Sequence, residues 1–196
     1  MISSENSNRI LSERFEEALI FAARLHANQT RKQSNTPYIA HLLGVTSIVL
    51  EDGGSEDEAI AALLHDAVED QGGLRTLAEI RNKFGDLVAD IVLEVSDSFE
   101  EPKPAWRQRK EAYIDSIRES SPPALRVSLA DKVYNARSTL QDVRREGESA
   151  WEKFNGGREG TLWYYEQLIQ AFGQHGQSRL LSELTRIVEK LNQTSH

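Results

Sequence analysis

Residues 59–70 read AIAALLHDAVED. Six apolar residues, Ala59 through Leu64, run straight into His65-Asp66, and Glu69-Asp70 follow one turn later. Upstream, Ser55 followed three positions later by Glu58 forms a capping box, so the pattern predicts a helix over 56–70. Positions i and i+4 of a helix share a face, which stacks His65 over Glu69 and Asp66 over Asp70. Two polar columns thus stand in a segment otherwise fit for burial. Burying a carboxylate beside an imidazole costs several kcal/mol unless something compensates. A divalent metal compensates, because it takes neutral imidazole nitrogen and carboxylate oxygen together. A His-Asp dipeptide alone fits a surface pair or a satisfied buried hydrogen bond equally well, so the decision rests on the rest of the chain.

Outward from this stretch the chain reads as helix after helix. Residues 12–29 place Phe15, Ala18, Leu19, Ala22 and Leu25 on one face. The turn-forming TRKQSNTPY that follows predicts a loop, with room for one small β-hairpin near residues 30–38. A second helix is expected from near Pro37 to Gly53-Gly54. Thr76 and Glu79 repeat the capping-box signal for a short fourth helix ending at Gly85. Leu87, Val88, Ile91, Val92 and Val95 make the stripe of a fifth. SDSFEEPKPAW is a polar loop, followed by a helix up to Ser120. Pro122-Pro123 restart the chain, with Leu125, Leu129, Val133, Ala136 and Leu140 at helical spacing. Two further helices are expected near 159–173 and 178–191. No period-two run of β-branched residues appears. The reading is all-α: one bundle of about ten helices over residues 12–192, after a flexible N-terminus at 1–11.

Composition narrows the function. The 196 residues are 39% hydrophobic and 28% charged, a globular balance. No apolar run approaches the ~20 residues that span a bilayer, and the N-terminus lacks the apolar core of a secretory signal. No membrane association is expected. The absence of cysteine excludes disulfides, thiolate zinc sites and cysteine nucleophiles, and fits a cytoplasmic setting. The net charge of −8 argues against a polymeric nucleic-acid partner. It leaves a small anionic substrate open, since a local basic cluster overrides the mean.

Two further segments bear on the metal. TPYIAHL puts His41 at the front of the second helix, and SLADKVYNAR puts Asp131 inside an apolar helical stripe. Taken singly, His41 fits a first-turn polar residue, and Asp131 a salt bridge to Lys132, Arg126 or Arg137. Taken together, the chain offers one His, then His-Asp, then Asp, each on an apolar helix. Those four can converge on one ion, two nitrogens and two oxygens, with room for water.

Four strings in this order, RKQSNTPYIAHL, AALLHDAVED, FGDLVADIVLEVSD and SLADKVYNAR, resemble the HD-domain metal-dependent phosphohydrolases. The chain is more narrowly similar to the hydrolase domain of the RelA/SpoT family and to small stand-alone alarmone hydrolases of the metazoan-SpoT-homologue type. The likeness covers about residues 12–140. It implies an all-α HD bundle and Mn²⁺ as cofactor, with Fe²⁺ and Zn²⁺ still open. The implied reaction is hydrolysis of the 3′-pyrophosphate of guanosine tetra- or pentaphosphate, (p)ppGpp. The resemblance implies His41, His65, Asp66 and Asp131 as metal ligands. It implies Glu69 and Asp70 as the acidic pair that orients or activates the attacking water. Arg31 and Lys32 match a basic pair at the substrate phosphates, and Lys103 a phosphate-reaching lysine. Lys132, Tyr134 and Asn135 match positions lining the nucleotide pocket.

The sequence departs from that pattern in three places. Leu42 follows His41 where the family has proline, Asn35 stands where glycine is common, and the loop between Val95 and Trp106 differs in length. At this length the resemblance implies a hydrolase without an alarmone-synthesising half. Two other readings remain: the same scaffold acting on NADPH 2′-phosphate or a nucleoside monophosphate, and a non-catalytic nucleotide-binding module. The expected partner is a small nucleotide, and a homo-oligomer stays open. Outside the four segments, His26 reads as a structural histidine and residues 106–110, WRQRK, as a solvated helix face. Trp163-Tyr164-Tyr165 reads as core packing or a subunit contact, and Asn155-Gly156-Gly157 as a turn.

Overall fold

A helix made of Ala59 through Leu64 has no face to give to solvent, so it has to be surrounded. The structure, a computed structural model, describes residues 10–32, 34–97 and 104–194, and it places this helix at the centre. The elements are α1 (Glu13–Leu25), α2 (Ile39–Glu51), α3 (Glu56–Leu64), α4 (Ala67–Asp70), α5 (Gly73–Phe84) and α6 (Asp86–Val95). They continue with α7 (Trp106–Ser116), α8 (Pro122–Glu146), α9 (Gly157–Gly173) and α10 (Arg179–Gln193), with 3₁₀ turns at Ile117–Glu119 and Gly147–Lys153. Helix α3 packs against α1, α2, α6 and α8, and α8 also meets α10. Every residue from Ala59 to Leu64 is fully buried. No strand occurs among the described residues. The expected hairpin is a single antiparallel bridge, Thr30 with Pro37. Proline has no N–H to extend a ladder, so the pairing stops there. Among the described residues, no helix is long and apolar enough to cross a membrane.

Helix starts follow the sequence signals. The Ser55 backbone N–H reaches Glu58 Oε2 at 2.7 Å, and the Glu58 N–H reaches Ser55 Oγ at 3.3 Å, closing the capping box. Ser121 caps α8 with Pro122 at its first position, and Ser178 caps α10.

Three local expectations are corrected. The helix predicted over 56–70 is divided at His65-Asp66. His65 Nδ1 donates to the Ala62 carbonyl at 2.9 Å, taking an acceptor the helical ladder would use, and Asp66 sits at φ −93°, ψ −3°. The Thr76/Glu79 capping box does not form, because α5 begins at Gly73. Gly72 at φ 118° makes the turn at no steric cost, and Thr76 Oγ1 donates back to the Gln71 carbonyl at 2.6 Å. Leu87 is exposed, so the buried stripe of α6 is Val88, Ile91 and Val92. The N-terminal stretch 1–9 and residues 98–103, which include Lys103, lie outside the described residues.

Candidate metal centre

Four elements deliver the four expected ligands. His41 lies in the first turn of α2, His65 closes α3, Asp66 opens α4, and Asp131 sits midway along α8. His41 Nε2 is 3.4 Å from Asp66 Oδ2 and 3.3 Å from Asp131 Oδ1. His65 Nε2 is 3.0 Å from Asp66 Oδ2 and 3.7 Å from Asp131 Oδ1. His41, His65 and Asp66 meet the geometry of a metal-holding group. Both imidazoles are buried. His65 Nδ1 gives its proton to Ala62, so a neutral ring presents its Nε2 lone pair to the cluster, where Nε2 makes no hydrogen bond among the described residues. A buried lone pair aimed between two carboxylates fits a cation rather than a hydrogen bond.

The electrostatics agree. Burial works against an imidazolium at His65, yet Asp66 and Asp131 outweigh it and hold its pKa well above the ordinary histidine value. Burial also opposes the Asp66 carboxylate, and the two histidines override it and keep its pKa well below the usual range. Asp131 follows the same rule, with Lys132 as the largest opposing influence. The cluster calls for positive charge at its centre. A divalent ion supplies that charge and leaves both imidazoles neutral.

A second ring of side chains fixes the ligands. Lys132 Nζ donates to Asp131 Oδ2 at 2.7 Å, and Asn135 Nδ2 donates to Asp131 Oδ1 at 2.6 Å. The Asp131 salt bridge considered from sequence therefore exists with Lys132, while Arg126 pairs with Glu58 and Asp52, and Arg137 with Glu183. Tyr38 hydroxyl donates to Asp66 Oδ2 at 2.5 Å. Burial, then the Asp66 charge, pushes the Tyr38 phenol far up, so it stays a donor. Such contacts set the orientation and basicity of metal-bound groups.

Beside the ligands runs a polar wall. Arg31 Nη2 donates to Asn135 Oδ1 at 2.8 Å, and its guanidinium lies 5.8 Å from the Tyr134 ring centroid. Tyr134 in turn packs 4.9 Å from the His41 ring. Gly44 permits this, since a Cβ there would fall 2.0 Å from Tyr134 Cε2. Lys32 is exposed in the turn that follows Arg31. At the end of α4, Glu69 is half-buried and Asp70 exposed. The structure thus brings Arg31, Tyr134 and Asn135 to one side of the ligands, and Lys132 and Asn135 are engaged in holding Asp131.

Sequence reasoning missed several participants. Tyr38 is one, and its place three residues before His41 was the available signal. WRQRK is not a solvated face throughout: Arg109 Nη1 and Lys110 Nζ both reach Asp97 Oδ2, at 2.7 and 2.8 Å. Trp163 is only partly buried and stacks under Arg107, while Tyr164 and Tyr165 are core.

Comparisons with known proteins add to this geometry. Residues 18–162, a span containing His41, His65, Asp66 and Asp131, match the family described as HD domain. The guanosine-3′,5′-bis(diphosphate) 3′-pyrophosphohydrolase of Homo sapiens is 39% identical over 171 residues, covering 85% of this chain and 88% of that protein. Its counterpart in Mus musculus is 41% identical over 171 residues, with the same coverage of 85% and 88%. Among solved structures, a metazoan orthologue of SpoT, described as hydrolysing ppGpp, superposes with TM-score 0.75 at 28% identity. That match covers 91% of this chain and 95% of the other. A crystal structure from Listeria monocytogenes matches with TM-score 0.68 and 31% identity, over 76% of this chain and 96% of that one.

Proposed function

This chain belongs to the HD-domain family, and from that footing we propose that it is a metal-dependent phosphohydrolase cleaving the 3′-pyrophosphate of (p)ppGpp. The products are GDP or GTP and pyrophosphate. One observation carries the reading: four side chains from four separate elements place two imidazole nitrogens within 3.0–3.7 Å of two carboxylate oxygens.

His41, His65, Asp66 and Asp131 would hold the metal. When bound there, a divalent metal lends Lewis acidity to phosphoryl oxygens and lowers the pKa of water toward neutrality. The nitrogen and oxygen donor set, without thiolate, suits Mn²⁺ and leaves Fe²⁺ and Zn²⁺ open. The protein's own groups do the rest. Glu69 and Asp70, at the end of the short helix that Asp66 opens, orient the attacking water and accept its proton. Arg31 and Lys32 meet the phosphates with cationic donors, which phosphoryl transfer needs more than covalent help. Tyr134, whose hydroxyl donates to the Ala40 carbonyl at 3.4 Å, lines the nucleotide side of the site. Lys132 and Asn135 keep Asp131 ionised and aimed. The cysteine-free sequence suits a reducing cytoplasm.

The test is product identity. Purified protein incubated with ppGpp and Mn²⁺ should release pyrophosphate and GDP in equal amounts, read by anion-exchange chromatography. Intact ppGpp beside release of orthophosphate from NADPH or a nucleoside monophosphate would assign the scaffold to another substrate.

A further inference from the structure

Asp70 is exposed at the end of a four-residue helix, where a short carboxylate has several rotamers to choose from. It is nevertheless held. Gln29, in the loop after α1, donates from Nε2 to Asp70 Oδ2 at 2.8 Å. An ionised carboxylate only accepts, so the Gln29 atom facing it has to be the amide nitrogen. That fixes the other end of the amide. Gln29 Oε1 accepts from Gln71 Nε2 at 2.6 Å and lies 2.7 Å from His26 Nδ1, which therefore carries the proton. His26 is buried, and its Nε2 has no partner among the described residues, as expected for the unprotonated nitrogen. The His26 ring stacks on Tyr38, with centroids 5.2 Å apart and planes 18° apart, and the Tyr38 hydroxyl holds Asp66. The backbone pins both partners, since the Tyr38 N–H bonds the Gln29 carbonyl at 2.9 Å. A closed circuit results: Asp66, Tyr38, His26, Gln29, Asp70. It ties the two ends of α4 to one loop.

We propose that Gln29 is a positioning residue for the reaction, fixing the Asp70 carboxylate beside the metal centre through a rigid Tyr38–His26–Gln29 stack. With Oδ2 engaged by Gln29, Oδ1 is left for the water. The proposal rests on the reading of Asp70 given under the proposed function. It assigns to this loop a task beyond presenting Arg31 and Lys32.

Steady-state kinetics on ppGpp with Mn²⁺-loaded protein test it, using Gln29→Ala, Gln29→Glu, Asp70→Asn and the Gln29→Ala/Asp70→Asn double variant. Gln29→Ala should lower kcat about 10–100-fold with KM changed less than about threefold, because only the placement of a reacting group is lost. Gln29→Glu keeps the size and the acceptor for His26 and Gln71 but turns a carboxylate toward Asp70, and should fall at least as far while remaining folded. The double variant should be no slower than Asp70→Asn alone. Losses that multiply in the double variant, or a rise in KM with kcat intact, would overturn the proposal. A readout independent of substrate is the ¹⁵N spectrum of the His26 ring. Wild type should show the Nδ1–H tautomer, and Gln29→Ala should lose it. An Nε2–H tautomer in wild type would overturn the circuit even if ppGpp proves not to be the substrate. Wild type inactive on ppGpp but with the Nδ1–H tautomer would overturn the substrate assignment and support the circuit.

Discussion

Asp131 shows how much one carboxylate depends on what surrounds it. Its Oδ1 meets two imidazoles and accepts from Asn135, while its Oδ2 accepts from Lys132. Replacing Lys132 by Met should weaken Mn²⁺ binding by about 10–100-fold, measured by competitive titration, because an outer partner of a ligand is lost. Glu69→Gln should instead keep the metal and lower kcat by about 100-fold or more, through loss of an acid–base group. Asp97 makes a prediction in pH. Burial opposes its charge, but Lys110, Arg109 and Lys132 hold its pKa below the usual range. Its folded pKa is thus below its unfolded pKa of about 3.9, so the contribution to stability is present above that pH and fades as pH falls through the folded value. Asp97→Asn should cost about 1–3 kcal/mol at neutral pH by denaturant unfolding, and progressively less below pH about 4. At this scale the clustering of His41, His65, Asp66 and Asp131 was legible, because an ionisable residue inside an apolar stripe is conspicuous. Gln29, Tyr38 and Asp97 were not, because neutral or loop residues acquire their roles only from partners far off in sequence.

Helices were legible wherever periodicity and caps agreed. Ser55 and Glu58 marked the start of α3 and form the expected box. Ser55→Ala should lower stability by about 1 kcal/mol and leave kcat/KM unchanged, because the cap lies at the far end of α3 from His65. The Thr76/Glu79 pair carried the same capping signal and did not cap, since glycines at 72 and 73 offered an earlier start. The break at His65-Asp66 was also hidden, because apolar periodicity runs through it while a side chain captures the Ala62 carbonyl. Between α2 and α8 the fit is tight at Gly44, where Tyr134 occupies the space of a Cβ. Gly44→Ala should cost about 1–3 kcal/mol by overpacking, and its displacement of Tyr134 should raise KM for the nucleotide.

Across the whole molecule, a central apolar helix wrapped by its neighbours brings residues 41, 65, 66 and 131 to one point, and that convergence is what the family resemblance implied from sequence. An ion held by the proposed site would compensate the buried acid–base cluster, and its removal would take that charge away. At a metal concentration 100-fold above Kd the ion stabilises the fold by about 2.7 kcal/mol. A chelator should therefore lower Tm by roughly 5–10 °C in differential scanning calorimetry, reversibly on adding Mn²⁺ back. The claim on which all of this depends is that the four side chains hold one ion. Elemental analysis of protein dialysed from Mn²⁺ buffer tests it most directly. Wild type should retain about one metal per chain, and Asp66→Ala, though still folded, almost none. Wild type without bound metal, or Asp66→Ala with a full equivalent, would contradict it.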